Sequence, residues 1–285
     1  MGSLAIAQQP TTVAAAARKR KLKKAVHLGM VAGNAPVADK LQLLKELGFD
    51  GVEIDGPSDL DHDALQKALD ATGLVVADVI DSVHWSSTLS DPDPAVRAKG
   101  VAGLEAALRD AKRHRCTEVL LVPAVVNANV SYADAYARSQ AEIRKALPLA
   151  AELQVHINVE NVWNHFLLSP LEAARYVDEL QSPWVGWHFD VGNVIRYGWP
   201  EQWIRALGKR VRNLHIKEYS RKKADASGTW KGFEVELLEG DCGWPAVMKA
   251  LDDVGYEGFG IAEIPGGDRA RLKEIAARMD RIFSS

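Results

Sequence analysis

Four side chains able to hold a metal recur at matching places in the second half of the chain. Glu160 ends VHINVE, Asp190 ends WVGWHFD, His215 lies within VRNLHIKE and Glu263 within FGIAEI. Each of these short apolar runs reads as a buried strand, with its polar residue at or near the C-terminal end. Carboxylates with one imidazole and no thiolate suit a hard or borderline divalent ion: Mn²⁺, Mg²⁺, Co²⁺ or Zn²⁺. Taken singly, a strand-end glutamate is an ordinary loop anchor and a buried histidine an ordinary core residue. At equivalent positions on successive strands, the four would converge if those strands stood side by side in a parallel barrel.

The rest of the chain supplies such strands. From Ala25 a rhythm begins of apolar run, polar loop and amphipathic helix. AVHLGM, GVEID, LVVADVI and TEVLLVPAV read as the first four strands, and the four metal-capable runs follow as the fifth to eighth. Helices are expected after Pro36, from Asp61 to Gly73, from Pro94, from Tyr132, from Pro170, from Pro200, over 244–254 and over 268–283. Strict alternation implies parallel strands with right-handed crossovers. Eight such units in 285 residues predict a single (β/α)₈ TIM barrel over 25–285. A doubly wound sheet is disfavoured because GMVAGNAP, after the first strand, lacks the GxGxxG fingerprint.

Residues 1–24 form a separate N-terminal extension, expected to be a disordered or processed tail. They are Ala-, Gln- and Thr-rich and then basic, and lack the charged-then-apolar order of an intact signal peptide. The basic cluster Arg18–Lys24 reads as a solvated helix start. A cytoplasmic location is the first expectation, with export after loss of a leader left open. The net charge of -3 argues against a nucleic-acid partner, and no apolar run is long enough for a membrane span. Cys116 and Cys242, far apart and in no CxxC pattern, read as ordinary thiols.

The segment WHFDVGNVIRYGWPEQWIRALGKRVRNLHIKEY resembles the sugar isomerase/epimerase superfamily with the xylose isomerase-like barrel. So do LLEGDCGWPAVMKALDDVGYEGFGIAEI and PGGDRARLKEIAARMDRIF. The resemblance spans roughly residues 25–283. It places Glu160, Asp190, His215 and Glu263 on the family's metal positions, and its two acid/base carboxylates on Glu160 and Glu263. It implies a sugar or sugar derivative as substrate, and a homo-oligomer is open. The implied chemistry is proton transfer through a metal-stabilised enediolate. One glutamate removes the proton alpha to a carbonyl, and the other returns a proton to the opposite face. Return to the same carbon is epimerisation; return to its neighbour is isomerisation.

Further candidates surround this centre as substrate contacts. His188 and Lys217 lie two residues from Asp190 and His215, so the strand period turns them to the same side. The resemblance gives His188 a substrate contact; a packed barrel histidine is the alternative. Glu53 ends the second strand and is expected to bind a hydroxyl or pair with a charge. Trp163 and Asn164 follow Glu160 and suit a stacking wall and a hydrogen-bond donor. His84, beside Trp85 in the long third loop, is placed to reach the pocket. Glu239 matches an acidic loop position of the family. The insertion 219–242 reads as a mobile lid or an oligomer contact, with Gly228 and Gly232 permitting motion.

Three other functions compete. A dehydratase or lyase on a keto-sugar or keto-inositol would use the same proton abstraction. An abasic-site endonuclease would need a further histidine where Asn193 stands. A non-catalytic sugar-binding barrel would not need two opposed carboxylates.

Overall fold

The computed structural model describes residues 20–285. Its strands and helices follow in order as β1 (Leu22–His27), α1 (Val37–Glu46), β2 (Gly51–Gly56), α2 (His62–Thr72), β3 (Val75–Asp81), α3 (Pro94–Arg113), β4 (Glu118–Leu121), α4 (Tyr132–Leu153) and β5 (His156–Glu160). Then come α5 (Pro170–Glu179), β6 (Val185–Asp190), α6 (Val191–Ile195), α7 (Pro200–Leu207), β7 (Val211–Ile216), α8 (Arg221–Ser227), α9 (Trp244–Val254), β8 (Gly258–Ala262) and α10 (Arg269–Phe283). The strands close a barrel in sequence order, each parallel to its neighbours, with β1 joined to β8. This is the single (β/α)₈ barrel that the alternation predicts, with α6 and α8 as short extra helices in the loops above the strands.

Local signals place the helix ends. Asp61 accepts the N–H groups of Asp63 and Ala64 at 3.1 and 2.9 Å, and Gly73 closes α2 at φ +70°. Val52 and Ile54 point outward from β2 into the apolar layer that also holds Leu41, Leu44 and Leu65. Alternation turns the intervening residues into the barrel. There the packing is polar above a small apolar plug of Ala25, Ala77 and Ile261. Glu53, Asp78, Asn158, His188, Asn213 and His215 are all buried.

Two register shifts set which of these side chains meet. One between Val52 and Glu53 brings Glu53 opposite Asp78; the other, between Trp187 and His188, brings His188 opposite Asn213. Such bulges re-aim side chains beside active sites.

The barrel boundary needs one correction. β1 begins at Leu22, not Ala25, and Leu22–Lys24 pair with Gly258–Gly260 of β8. The basic residues 20–24 are not a solvated helix start. Arg20 bonds Asp252 (2.9 Å), Lys24 pairs with Asp280 (2.7 Å), and the Lys23 ammonium lies 5.4 Å from the Phe259 ring centre. The expectations for residues 1–19 lie outside the described residues. Both cysteines are buried free thiols. No helix among the described residues is long and apolar enough to cross a membrane.

Candidate metal centre and active-site cavity

Glu160 and Asp190 are the last residues of β5 and β6, His215 is the penultimate residue of β7, and Glu263 follows β8. One ligand atom from each lies within 4.8 Å of all the others. The His215 Nδ1 atom is 3.1 Å from Glu160 Oε1, 3.4 Å from Glu263 Oε2 and 3.8 Å from Asp190 Oδ2. Glu160, Asp190 and His215 are buried, while Glu263 is partly open.

The donor set fits a divalent cation. Asp190 Oδ1 is used as the cap of α6, accepting from Asn193 N at 2.7 Å. Asp190 Oδ2 and Glu263 Oε2 are closed off from solvent and lack a well-aligned hydrogen bond. Their polar neighbours are His215 and Lys217, whose ammonium is 3.1 Å from Asp190 Oδ2 and touches Glu263 Oε2. Crowded dry carboxylates repel one another unless a cation stands among them. Oxygen donors with one imidazole nitrogen are the ligands such an ion takes.

A second row supports this centre. Nε2 of His215 is 3.0 Å from Glu53 Oε1, so the far nitrogen donates to a carboxylate while Nδ1 faces the site. Nδ1 of His188 donates to Asp78 Oδ2 at 2.7 Å, and Asn213 Nδ2 donates to the same oxygen at 3.1 Å. The His188 ring packs edge-on against His215, with centroids 4.1 Å apart. Asn161 fixes Asp190 from both sides, giving Nδ2–H to its carbonyl (2.7 Å) and accepting its N–H (3.1 Å).

The electrostatics separate the two glutamates. Burial pushes the Glu160 carboxyl upward, only partly opposed by His215. Burial acts the same way on Glu263, but the charges of His215 and Lys217 outweigh it and hold Glu263 at about 2. Burial opposes protonation of His215, yet the carboxylates around it, Glu53 foremost, raise it well above the ordinary histidine value.

Above the centre opens a cavity of about 1050 Å³. Glu160, His215, Lys217 and Glu263 line it, together with His27, Asp55, His84, Trp85, Trp163, Asn193 and Trp230. Burial lowers His84 to about 4, and its Nδ1 accepts the Val122 N–H at 3.2 Å. It is therefore neutral, with its proton on Nε2. Trp163 donates Nε1–H to the Asn193 carbonyl at 2.9 Å and packs on Trp230 and Phe233.

Of the expected substrate contacts, Lys217, Trp163 and His84 line the cavity. Glu53 and His188 lie beneath it, fully buried and bonded to His215 and Asp78. Asn164 is turned away: its amide donates to the Ala124 carbonyl (2.8 Å) and accepts from Phe166 N (3.2 Å), bracing the loop. Glu239 is also elsewhere, paired on the surface with Arg278 at 2.9 Å. Loop residues have no alternation to fix their direction, so neither the nearness of Asn164 to Glu160 nor the family resemblance at Glu239 placed a side chain in the cavity. Asp78, Asn161 and Asp55 were missed. Asp55 falls at an inward position of β2, which the alternation could have flagged; Asp78 turns inward only through the register shift beside Ala77.

The insertion 219–242 is a tethered structure. Buried Glu218 accepts from Leu238 N (2.7 Å), Cys242 N (3.1 Å) and Trp244 Nε1 (2.8 Å). Asp241 N donates to the Tyr219 carbonyl at 2.8 Å, closing the segment at its neck. Arg221 bonds the Ile195 and Gly198 carbonyls, and Lys223 contacts Glu234. Gly228 turns the chain at φ +114°. Gly232 serves close packing instead, since a Cβ there would fall 2.4 Å from the Tyr219 ring.

Fold and site together define a (β/α)₈ barrel with a carboxylate–histidine centre at the C-terminal mouth. The chain belongs to the xylose isomerase-like TIM barrel family, whose model matches residues 41–282. It is 28% identical over 282 residues to the L-ribulose-5-phosphate 3-epimerase UlaE of Escherichia coli strain SMS-3-5 / SECEC, covering 90% of this chain and 96% of that protein. The crystal structure of a D-psicose 3-epimerase in the presence of D-fructose superposes with a TM-score of 0.74 at 20% identity, over 91% of this chain and 98% of that one. An L-ribulose 3-epimerase structure gives 0.76 at 19% identity, over 92% and 95%.

Proposed function

We propose that the chain is a divalent-metal-dependent sugar epimerase that inverts the carbon next to a carbonyl. The observation that carries this reading is the convergence of Glu160, Asp190, His215 Nδ1 and Glu263, with donor atoms within 4.8 Å, at the base of the cavity that Glu160, His215 and Glu263 line. C3 of a 2-ketose is the position supported by the name of the relative at 28% identity.

Glu160, Asp190, His215 and Glu263 would hold a divalent cation, and such an ion would supply Lewis acidity to the substrate's carbonyl. Glu160 and Glu263 act as the two proton carriers, on strand ends three apart around the mouth. Inversion needs one carboxylate to take the proton and one carboxylic acid to return a proton to the other face. Their surroundings differ: burial favours the protonated form of Glu160, while the Lys217 ammonium touches Glu263. Glu53 holds the His215 ring in the orientation that presents Nδ1. His84 offers a neutral N–H, and Trp163 an aromatic wall, to sugar hydroxyls and C–H faces.

The test has two parts. Elemental analysis of chelator-free protein should find about one divalent ion per chain, and much less in His215→Ala. Incubation with ketoses in D₂O should place deuterium at the carbon alpha to the carbonyl, with an inverted product. Loss of a water from the substrate would instead identify the dehydratase chemistry. An absence of both metal and exchange would leave a sugar-binding barrel.

A further inference from the structure

The cavity is larger, less cationic and more aromatic at its rim than a phosphorylated monosaccharide needs. Pockets that enclose drug-sized ligands measure about 300–1,000 Å³, and this one reaches about 1050 Å³. Lys217 is the one lysine or arginine among the described residues that line it. Its ammonium is already engaged by Asp190 and Glu263. His27 is bonded to Asp55 at 3.2 Å, and His84 is neutral. A phosphate would meet the carboxylate of Asp55 with no free cation to receive it. The basic run of the insertion does not supply one, because Arg221 and Lys223 are bonded to the protein's own oxygens and neither lines the cavity.

Two tryptophans stand open at the rim. Trp85, in the loop after β3, is 53% exposed, and Trp230, in the insertion after β7, is 69% exposed. Strands three and seven lie half-way around a closed eight-stranded ring from each other. Both indoles line the cavity above the candidate carboxylates, Trp85 from the loop after β3 and Trp230 from the insertion, where it packs on Trp163 of the loop after β5. Unlike the exposed Trp199, both rings line the cavity, so their open faces meet whatever enters it. Indole faces pack on the C–H faces of sugar rings or on aromatic groups.

We propose that the substrate is an uncharged keto-sugar carrying a second ring, a glycosyl unit or an aromatic aglycone, held at the rim between Trp85 and Trp230 while the keto-sugar reacts below. This rests on the epimerase reading for the reacting sugar, but the rim can be tested without turnover.

The experiment uses the metal-loaded full chain and matched probes. These are a free 2-ketose, its terminal phosphate ester, and the same ketose glycosylated away from C2 and C3. A ring-keto glycoside with a methyl or a phenyl aglycone completes the set. Alpha-proton exchange in D₂O and tryptophan fluorescence titration are both read. The two-ring probes should exceed their one-ring counterparts by about tenfold or more in kcat/KM and in affinity. Trp85→Ala and Trp230→Ala should each cut that preference by about three- to tenfold. Trp85 is exposed at the rim; Trp230 also packs on Trp163, so Tm is read on both variants and must stay parental for the loss of preference to count. Preference for the phosphate ester would overturn the proposal, as would a two-ring preference untouched by either variant. If nothing is turned over but two-ring sugars still bind more tightly through these tryptophans, the epimerase reading fails and the rim site stands. If they bind no more tightly than single rings, the rim site fails whatever the chemistry.

Discussion

Glu53 Oε1 lies 3.0 Å from Nε2 of His215, and that contact decides which nitrogen of the imidazole faces the carboxylates of Glu160, Asp190 and Glu263. A carboxylate behind a ligating histidine fixes the ring and raises its basicity, and its loss commonly costs about 10–100-fold in metal affinity. Glu53→Ala should therefore weaken Mn²⁺ or Co²⁺ binding by that factor, read by calorimetric titration. Unchanged affinity would remove Glu53 from the metal centre's support.

Glu160→Gln and Glu263→Gln should each lower kcat by about 10²–10⁴, the usual contribution of a positioned acid or base. Both residues are also candidate ligands, so metal content must be measured on the same samples. Loss of epimerisation at retained metal content identifies proton transfer. Loss that merely follows metal content assigns the residues to coordination alone. Near-normal turnover in both variants would end the two-carboxylate mechanism.

Asp81 predicts a pH dependence of stability. Its Oδ2 is buried without a partner, and burial raises its carboxyl to about 7. The unfolded chain titrates the same group near ~4, so between these values the folded state binds more protons. Stability should fall as pH rises through that window, by an order of a few kcal/mol, and level off above it. Urea unfolding at pH 5 and pH 8 should show a smaller drop for Asp81→Asn than for the parent. Equal drops would mean that Asp81 is already ionised in the fold.

Glu218 should be the clamp of the insertion. Removing it leaves the Leu238 and Cys242 amides and the Trp244 indole without their charged acceptor, and bonds to charged groups are worth about 1.5–3 kcal/mol each. Glu218→Ala should lower Tm by several degrees and open the basic 221–231 stretch to trypsin. A parental Tm with no new cleavage would show that the rest of the segment holds itself.

The eight barrel helices and the four-residue centre were legible in the sequence because each followed from a local pattern, whereas α8 lay hidden in the insertion. Asp61, Ser131 and Asp268 announce helix starts by hydrogen-bonding the first turn. Glu160, Asp190 and His215 fall where an alternating strand must turn them inward. The start of β1 was hidden because Lys23 and Lys24 look solvated until Phe259 and Asp280 are placed beside them. The five-residue α6 escaped notice because its cap is Asp190, already read as a candidate metal ligand. The pairs His188–Asp78 and His215–Glu53 join residues 110 and 162 apart, and their meeting depends on two bulges. No local pattern encodes those.

The neck between Tyr219 and Asp241 gives the segment 219–242 the character of an exchangeable cassette. Its ends already meet, and lengthening a closed loop costs little. Its root, Glu218, lies just past the strand that bears His215, next to Lys217, yet its tip carries Trp230. The tip can thus change in length or sequence while the carboxylate–histidine floor stays as it is.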